Sequence, residues 1–555
     1  MKRHKIISAL LIGAMTLTFL TGCGGNNDTA TKENSGSTES ASETSGTTAE
    51  ADSGNGKELA DTITLGLLMD PESMNPWLGA HDSRQQLYYN TIYEPLAQLN
   101  VDGELELILA KNITKNEDGT YSIELWDNIY DSEGNHITAS DVAFSYEKCA
   151  ETGQLAWGIR YLDHFDIIDD YNLIMYMADE SAVGLNMVLK TCMIVSEASY
   201  KASPDDFSTT PVGTGPYILT EYTPGSSASI AVRDNYWQTE ESARSSFSQV
   251  GSIQTVNFKV ITESSQIALA LQMGEIDCIA GNTGISSVNL GLFLDENRNP
   301  LAGYNSLMYE GSLIYDLELN CGDLSPLKDQ KVRQAIAYAI DSPALVKNIW
   351  GVDGVACTTN SSPYYADYDV ALDTQDYYSY NPEKAKELLA EAGYANGITV
   401  TLISQNSDQN TQMATLIQSY LGAVGITVEI VNVEPALFNN YRSDTVGDQW
   451  DICLNQVMSI NTPGRFSELD VNAYTTGKNG LYIYDETLQE LFLTANRAET
   501  YSKESVTELL NYVDEQMYLY PLGYANGYVI TNDKFKTIKL DRNSALLYGQ
   551  CIVRK

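Results

Sequence analysis

The segment Ile398–Val433, "ITVTLISQNSDQNTQMATLIQSYLGAVGITVEIVNV", places two β-rich runs around a stretch whose apolar residues have helical spacing. The runs ITVTLIS and ITVEIVNV are rich in β-branched residues, which favours strands. A helix between two strands predicts a β–α–β unit, in which the strands pair in parallel through a right-handed crossover. The segment therefore predicts α/β architecture.

Strands and helices alternate along the rest of the chain as well. Thr62–Met69 and Ile253–Val260 are predicted strands, whereas Ser83–Leu96 and Ser264–Met273 have helical spacing. Asn381 can cap a helix that has Pro382 at its first position. The alternation occurs in both halves of the chain, so we expect two α/β lobes.

The N-terminus has the features of an export signal. Three basic residues among the first five precede the apolar run Ile6–Leu20, and Leu20-Thr21-Gly22-Cys23 follows. The run is too short for a comfortable membrane span. Leu-Thr-Gly-Cys resembles a bacterial lipobox, which would make residues 1–22 a lipoprotein signal peptide and Cys23 the lipidated first residue of the mature protein. A plain secretory signal with a coincidental cysteine is the alternative.

The residues after Cys23 favour a tether. From Gly24 to Lys57 the chain contains no aromatic residue and no Val, Ile or Leu. Such a composition cannot bury enough apolar surface to offset the entropy lost on ordering. We therefore expect residues 23–57 to be a lipid-anchored disordered tether, and the folded part to begin near residue 58.

Net charge and cysteine spacing argue against two kinds of function: nucleic-acid binding and metal binding by cysteines. The formal net charge is −41, and it becomes more negative when the basic signal peptide is removed. Nucleic-acid binding is therefore not expected, because it needs clustered Lys and Arg. Seven cysteines follow Cys23 without a CxxC pair or zinc spacing, so we expect small buried residues and no metal site. A Cys321–Cys357 disulfide is conceivable but not expected.

Seven motifs then occur along the chain, in this order: IYEPLAQLNVDGEL at 92–105, DSEGNHITASDVAFSYE at 131–147, PVGTGPYILTEY with RDNYW at 211–237, ALALQMGEIDC at 268–278, LNCGDLSPLKDQKVRQAIAYAID at 319–341, YNPEKAKELLAEAGY at 380–394, and LGAVGITVEI at 421–430. Together they resemble the family 5 extracellular solute-binding proteins of ABC importers, the oligopeptide- and dipeptide-binding group. The resemblance extends from about residue 60 to about residue 530, and the order of the seven segments carries more weight than any single one.

The resemblance implies a two-lobed α/β fold of the periplasmic-binding-protein type (type II, cluster C) with an extra inserted subdomain. Ligand would bind between the lobes, and closure would be a hinge motion. The implied boundaries are 58–88, 203–310 and 520–555 for lobe I, 89–202 for the inserted subdomain, and 311–519 for lobe II.

The Gly-Thr-Gly-Pro-Tyr motif is interpreted as scaffold. Gly213 and Gly215 would permit backbone angles closed to other residues, and Pro216 would set the direction of exit. The chain then predicts a hairpin that ends at Asn235-Tyr236-Trp237.

The resemblance also implies which residues contact a ligand, although packing or solvation is the alternative for each of them. The implied contacts are Gly79, Ala80, His81 and Asp82 after the first strand; Tyr315, Leu317 and Glu318 in the strand entering lobe II; Asn455, Gln456, Val457, Met458 and Ser459 in a later strand; and Trp157 and Tyr161 as a roof from the inserted subdomain.

One departure from the family pattern concerns the ligand. Peptide-binding relatives usually carry an Asp just beyond the later strand, where it pairs with the α-ammonium group of the peptide. A buried ammonium needs such a carboxylate. This chain has Ser459-Ile460-Asn461-Thr462 there, without an acid. Either Glu318 or Asp82 substitutes, or the ligand is not an ordinary peptide.

The function implied is capture of a peptide or similar small solute by a monomeric protein, which delivers the solute to ABC permease subunits driven by a cytoplasmic ATPase. The protein would lie at the outer face of the cytoplasmic membrane, or in the periplasm of a cell with two membranes, and would contact the membrane through its lipid alone. It would need no cofactor. The alternatives are a sugar or a metal chelate as ligand, and a surface peptide receptor that is not coupled to import.

A secreted hydrolase is the less favoured class. The mature chain has only His81, His136 and His164, and it lacks GxSxG, HExxH and a phosphate-binding Gly-Lys-Ser. Acidic residues are too abundant for counting to exclude a glycosidase pair. We therefore expect no catalytic residue and no enzymatic activity.

Overall fold

The computed structural model describes residues 59–78, 83–179, 181–279, 285, 287–374, 378–442, 449–459, 461–467 and 481–555. Two large mixed β-sheets and one smaller antiparallel sheet organise this part of the chain. The seven-stranded sheet and its helices are called lobe I, and the six-stranded sheet and its helices are called lobe II.

Lobe II contains the β–α–β unit that the sequence predicts. Strands β17 (Ile398–Gln405) and β18 (Ile426–Val433) pair in parallel along their whole length. Helix α11 (Asp408–Ala423) lies between them along the chain and begins where the Ser407 side chain accepts a hydrogen bond from the Asn410 amide at 3.1 Å. Both strands, the helix and the parallel pairing are therefore confirmed.

Four further strands complete the sheet of lobe II. Strand β15 pairs antiparallel with β19 and β20, and β19 pairs in parallel with β17. Apolar clusters cover both faces of the sheet. The strand order is β16 (Gly354–Ala356), β20 (Leu519–Ala525), β15 (Leu313–Leu319), β19 (Ile452–Met458), β17 and β18.

Lobe I is built on a sheet whose central strand begins the described chain. Strand β1 (Thr62–Leu67) pairs in parallel with two strands of distant sequence, β12 and β13. The strand order is β10 (Tyr217–Thr223), β11 (Ser227–Val232), β12 (Thr255–Val260), β1, β13 (Cys278–Ile279), β21 (Gly527–Asn532) and β14 (Tyr304–Tyr309).

A four-stranded antiparallel sheet lies in the segment predicted to be an inserted subdomain. Its order is β5 (Ala110–Lys115), β6 (Tyr121–Leu125), β8 (Asn172–Met177) and β7 (Leu162–Ile167). Three two-stranded ladders join β2 (Glu94–Pro95) to β9 (Met193–Ile194), β3 (Ala97–Leu99) to β4 (Leu105–Leu107), and β22 (Phe535–Thr537) to β23 (Ile552–Val553).

The remaining α-helices of the described chain are α1 (Ser83–Ile92), α2 (Ala139–Thr152), α3 (Ala156–Ile159), α4 (Gly184–Thr191), α5 (Glu197–Ala202), α6 (Ser264–Gln272), α7 (Ser287–Leu290), α8 (Gln330–Ala339), α9 (Ser342–Trp350), α10 (Pro382–Glu391), α12 (Pro435–Arg442), α13 (Thr462–Ser467), α14 (Glu486–Asn496) and α15 (Lys503–Gln516). Helix α1 is shorter than predicted, because Glu94–Pro95 forms strand β2 instead of a last helical turn. None of the helices in the described ranges is both long and apolar enough to cross a bilayer.

Two short segments carry the chain between the lobes. The first runs from β14 through residues 310–312 into β15, and the second runs from β20 through Asn526 into β21. The backbones of the two segments are in close contact at Gly311. A Cβ atom built on this glycine would lie only 2.1 Å from the carbonyl oxygen of Ala525. The predicted lobe boundary at 519/520 falls inside β20, whose pairing with β15 places the strand in lobe II. The other boundaries stay predictions.

The Gly-Thr-Gly-Pro-Tyr corner packs against the end of helix α1. A Cβ atom built on Gly213 would lie 2.1 Å from the carbonyl oxygen of Ile92. A Cβ atom built on Gly215 would lie 2.2 Å from the carbonyl oxygen of Thr91. Neither glycine has positive φ. The expectation of unusual backbone angles is therefore wrong, and close approach of two backbones is the reason for glycine.

The RDNYW motif at the end of the predicted hairpin holds the same corner. Arg233 donates to the Gly213 carbonyl at 3.2 Å. Tyr236 and Trp237 donate to the buried Glu94 carboxylate at 2.6 and 2.8 Å. These contacts join the hairpin β10–β11 to the segment after α1 and agree with a scaffold role.

None of the seven cysteines of the described chain forms a disulfide, and five of them are buried. No disulfide joins Cys321 to Cys357. The conceivable bridge between them is therefore absent from the structure.

Candidate functional site

A cavity of ≈ 390 Å³ lies between the two lobes beside both crossing segments. Residues 311–313 and 525–527 of these segments form one side. Lobe I contributes Ile285, Leu290, Tyr309 and Tyr528, and lobe II contributes Tyr315, Ile349, Trp350, Asp353 and Gln409.

The position of this cavity follows from strand direction. Strands β17 and β19 are parallel, and the carboxyl end of β17 leads to Gln409 at the start of α11. In lobe I the carboxyl end of β13 leads toward Ile285. Ligands of open α/β sheets bind outside the carboxyl ends of the strands. The cavity is therefore where a ligand is expected.

Aromatic rings and amide groups share the wall of the cavity. The rings of Tyr315 and Trp350 pack with centroids 5.2 Å apart. The Tyr315 hydroxyl accepts a hydrogen bond from the Gln409 amide at 2.7 Å, and burial raises the pKa of this hydroxyl to about 12. The Asn526 side-chain oxygen is buried and has no hydrogen-bond partner among the described residues. Flat apolar faces beside amide groups suit an organic ligand with its own donors.

An ion pair joins the lobes at the edge of the cavity. The Arg298 guanidinium of lobe I contacts both carboxylate oxygens of Asp353 in lobe II, and its Nε donates at 2.7 Å. The Tyr528 hydroxyl donates to the same carboxylate at 3.1 Å. The hydrogen bond to Asp353 raises the pKa of Arg298, although partial burial acts in the opposite direction.

Strands β15 and β19 carry most of the residues that the sequence predicts as contacts. Their register places Tyr315 opposite Gln456, and Ile314 opposite Val457. Residues directly opposite share a face of the sheet. The strands therefore present Tyr315 and Gln456 on one face, and Asn455 and Val457 on the other.

The end of β19 has one exposed and one buried side chain. Met458 is 50% exposed. The Ser459 hydroxyl is buried and donates to the Asn461 carbonyl at 2.8 Å. Ser459 is therefore used to shape the chain after β19, where peptide-binding relatives are expected to carry their ammonium-pairing acid.

Glu318 does not replace that acid. Its carboxylate is fully buried and accepts two hydrogen bonds from Arg442, both at 2.7 Å. The Asn455 amide donates to it at 2.9 Å. Burial opposes ionisation, but Arg442, Arg465 and Asn455 together outweigh burial and lower the pKa of Glu318 to about 2. Since this charge is already neutralised, Glu318 is not available to a ligand ammonium.

The neighbouring Asp316 belongs to the same buried network. Its carboxylate pairs with Arg465, whose guanidinium also lies 3.5 Å from Glu318. Burial raises the pKa of Asp316, although Arg465 acts in the opposite direction. Sequence reasoning missed the two arginine partners. The alternation of acids with apolar residues in IYDLELN indicated that Asp316 and Glu318 share a face.

Two further predicted contacts are core residues. Leu317 is fully buried between lobe II helices. Tyr161 is 5% exposed, and its hydroxyl accepts a hydrogen bond from Arg160 at 2.8 Å. A ligand in the cleft therefore has no access to the side chains of Leu317, Tyr161 or Glu318.

Trp157 lies apart from the main cavity. Its side chain is 47% exposed and lines a smaller cavity of ≈ 40 Å³ with Tyr89, Asn90 and Lys190. The predicted contacts Gly79, Ala80, His81 and Asp82 lie outside the described residues. The structure thus brings Tyr315 together with residues that the sequence did not single out: Tyr309, Trp350, Gln409, Asn526 and Tyr528.

A resident metal centre is not evident in the described chain. No group of three or more His, Cys, Asp and Glu side chains among these residues is arranged to hold a metal ion. Of the described residues that line the interlobe cavity, Asp353 is the single acid, and it pairs with Arg298.

These features define a two-lobed α/β binding protein with a cleft between its lobes. Residues 104–477 match the model of the bacterial extracellular solute-binding proteins, family 5. The chain therefore belongs to this family of solute-binding proteins, as the sequence motifs predict.

Three relatives show how broad the similarity is. The nickel-binding periplasmic protein of Escherichia coli (strain K12) is 26% identical over 67% of this chain and 71% of its own length. The dipeptide-binding protein of the same strain is 27% identical over 66% of this chain and 70% of its own. The glutathione-binding protein of that strain is 25% identical over 64% of this chain and 66% of its own length.

Solved structures confirm the fold. A substrate-binding protein of an ABC transporter from Listeria monocytogenes superposes with a TM-score of 0.73 at 20% identity, over 90% of this chain and all of its own. The oligopeptide-binding protein of Bacillus subtilis in complex with a nonapeptide superposes with a TM-score of 0.68 at 19% identity. The superposition covers 90% of this chain and 100% of that protein. The two-lobed periplasmic-binding-protein fold is therefore established for this chain.

Proposed function

We propose that this protein is a lipid-anchored extracytoplasmic receptor that captures a peptide between its lobes and delivers it to an ABC permease. The observation that supports this most directly is the interlobe cavity. Its volume of ≈ 390 Å³ falls within the range of roughly 300–1,000 Å³ that is usual for small-ligand pockets. Its wall belongs to both lobes, so a bound solute would stabilise their closed arrangement.

A peptide suits the chemistry of the wall. Peptides carry amide donors and acceptors, which can pair with the side chains of Gln409 and Asn526 and with the backbone of 311–313. The rings of Tyr309, Tyr315, Trp350 and Tyr528 offer apolar faces for peptide side chains. The ammonium group of the peptide would pair with an acid other than Glu318, and Asp82 remains the candidate.

Similarity to relatives does not choose the ligand class. Proteins named for nickel, dipeptide and glutathione are 24–27% identical to this chain. The main competing ligands are therefore a metal chelate and a sugar. The described residues hold no preformed metal-binding cluster, so a metal would have to arrive within a chelating solute.

Isothermal titration of the mature protein with di-, tri- and tetrapeptides tests the ligand class, with sugars and nickel chelates as controls. We expect saturable binding of peptides alone. The Trp350→Ala variant should bind the best peptide about tenfold or more weakly, since it removes an aromatic wall of the cavity. Binding of a sugar or chelate with no response to any peptide would contradict the peptide proposal.

The anchor and the transport role need separate experiments. Metabolic labelling with a fatty acid should modify the wild-type chain and spare a Cys23→Ala variant. Uptake of the identified peptide should depend on the anchored protein together with a permease. Labelling that persists without Cys23 would contradict the anchor, and normal uptake without the protein would contradict delivery.

A further inference from the structure

A second cavity of ≈ 290 Å³ lies within lobe II at the other end of helix α9. The carboxyl end of α9, Ile349 and Trp350, lines the interlobe cleft, whereas its first residues, Ser342 and Pro343, line this second cavity. A helix of nine residues is about 13 Å long. The second cavity is therefore separate from the proposed solute site.

The wall of this cavity is acidic. Among the described residues of its lining, Asp341 and Asp514 supply carboxylates and none is Lys, Arg or His. Across the ranges that the structure describes, neither carboxylate takes part in a salt bridge. Asp341 caps helix α9 by accepting a hydrogen bond from the Ala344 amide at 3.0 Å. Asp514 has no such structural task.

Asp514 is buried without its full set of partners. Its side chain is 2% exposed. One carboxylate oxygen accepts a weak hydrogen bond from the Asn360 amide at 3.4 Å, and the other has no hydrogen bond among the described residues. A buried acceptor without a partner keeps its full desolvation cost, so the second oxygen of Asp514 favours a bound donor.

The chemistry of the cavity points to a cation that carries N–H donors. The unpartnered oxygen of Asp514 is an acceptor. The cavity is also lined by Tyr378, Tyr380 and Tyr520, whose ring faces attract cations. An anion is disfavoured, because the described residues of the wall include two carboxylates and no base.

A bare metal ion fits this cavity less well than an organic cation. The described residues contain no group of three His, Cys, Asp or Glu side chains arranged for a metal, although Asp341, Asp514 and Cys357 all line this cavity. The cavity volume equals that of about ten water molecules, at roughly 30 Å³ each. The space therefore suits an ammonium group with an attached carbon chain.

We propose that this lobe II cavity binds the primary ammonium group of a small organic amine, with the Asp514 carboxylate as its counter-ion. Burial also raises the pKa of Asp514 to about 7, against the lowering effect of Thr359 and Asn360. A bound ammonium would stabilise the ionised form of the Asp514 carboxylate, which has no salt-bridge partner among the described residues. This site is independent of the solute captured in the cleft.

Titration calorimetry of the mature protein with n-butylammonium tests the proposal, with n-butanol and butyrate as uncharged and anionic controls. We expect saturable binding of the amine alone. Asp514→Asn should weaken it by about tenfold or more, since the amide keeps the shape and removes the charge. The cleft variant Gln409→Ala should bind the amine as the wild type does. Far-UV circular dichroism establishes that each variant is folded.

Three outcomes would overturn the proposal: no saturable binding of the amine, equal binding by Asp514→Asn, or loss of binding in Gln409→Ala. A crystal of the wild-type protein soaked with 4-bromobenzylammonium, whose aryl bromide does not alkylate the thiol of Cys357, provides a test that needs no variant. Anomalous bromine density in the cavity, with the nitrogen next to Asp514, is the expected result. Ordered water alone at Asp514 would refute the site.

Discussion

Gly215 and Gly422 lie in α/β lobes of the same chain, yet a methyl group should have opposite effects at the two positions. At Gly215 a Cβ atom would lie 2.2 Å from the backbone oxygen of Thr91, and backbone cannot move aside cheaply. At Gly422, in helix α11, a Cβ atom would meet nothing within 4 Å, and φ is not positive. The surroundings of a glycine, and not its identity, therefore decide its role.

We predict that Gly215→Ala lowers the free energy of unfolding by about 1–3 kcal/mol or more through overpacking. Gly422→Ala should raise it by about 0.5–1 kcal/mol, because alanine loses less backbone entropy in a helix. Urea denaturation of both variants measures the two changes. A Gly215→Ala protein as stable as the wild type would show that the corner is not tightly packed.

Strand β15 shows how one element can serve two environments. Its odd-numbered residues Leu317 and Leu319 enter the apolar core, whereas Asp316 and Glu318 point to the opposite face. There the two carboxylates meet Arg442 and Arg465, which come from helices α12 and α13. A strand with acids on a buried face needs bases from elsewhere in the chain.

Removing one base should therefore destabilise lobe II strongly. We predict that Arg442→Ala lowers the free energy of unfolding by about 3–5 kcal/mol, because Glu318 is left as an unpaired buried charge. Replacing both partners, Glu318→Gln with Arg442→Leu, should recover much of that loss. Chemical denaturation of the single and double variants measures the effect.

Lys111→Ala is the matched control for Arg442→Ala. Lys111 pairs with Glu124 at 2.6 Å, but both side chains are more than 40% exposed. Exposed ion pairs contribute little, so we expect no measurable change. Equal losses in Arg442→Ala and Lys111→Ala would contradict the account of the buried network.

Contacts beyond the covalent connections join the parts of the molecule. The Arg298–Asp353 pair joins lobe I to lobe II beside the crossing segments. Ser181 and Ala182 of the inserted segment contact Asn496 in lobe II, where the Ser181 hydroxyl donates to the Asn496 side chain at 3.1 Å. Lobe II is therefore in contact with both lobe I and the inserted segment.

We predict that Arg298→Gln favours a more open molecule, because it removes a charged contact between the lobes. Small-angle scattering should give a larger radius of gyration for the solute-free variant than for the wild type. Lys534→Gln is the control, since its partner Asp277 lies in the same lobe. An unchanged radius in Arg298→Gln would mean that the pair does not restrain the lobes.

The stability of the whole chain should depend on pH through buried acids. Burial raises the pKa of Asp514 to about 7, above its value of about 4 in an unfolded chain. The folded state then binds more protons than the unfolded state between these values. Its contribution to stability is therefore largest at low pH and is lost as pH rises toward 7 and above.

Asp514→Asn removes this titration, and the variant should be more stable than the wild type at pH 8 and similar to it at pH 4 and below. Thermal unfolding at several pH values measures the difference. Asp118→Asn is the control, because hydrogen bonds from Thr120 lower the pKa of Asp118 and place its titration below this window. A pH slope that Asp514→Asn leaves unchanged would contradict the assignment.

Local patterns predicted much of the fold. The β–α–β unit 398–433 was predictable because strand and helix periodicity depend on residues close in the chain. The order of seven motifs indicated the family, which residues 104–477 confirm. The predicted site was less complete: Tyr315 lines the cavity, whereas Leu317 and Glu318, two and three residues further along, lie in the core or in an ion pair.

By itself, then, the sequence determined the α/β class, the family and the β–α–β unit, because each rests on short-range spacing or on the order of motifs. Only the tertiary structure decided which side chains meet. Arg442 neutralises Glu318 from 124 positions away, and Tyr528 reaches Asp353 across 175. Such pairings depend on how the strands of two sheets are ordered, and neither composition nor periodicity carries that information.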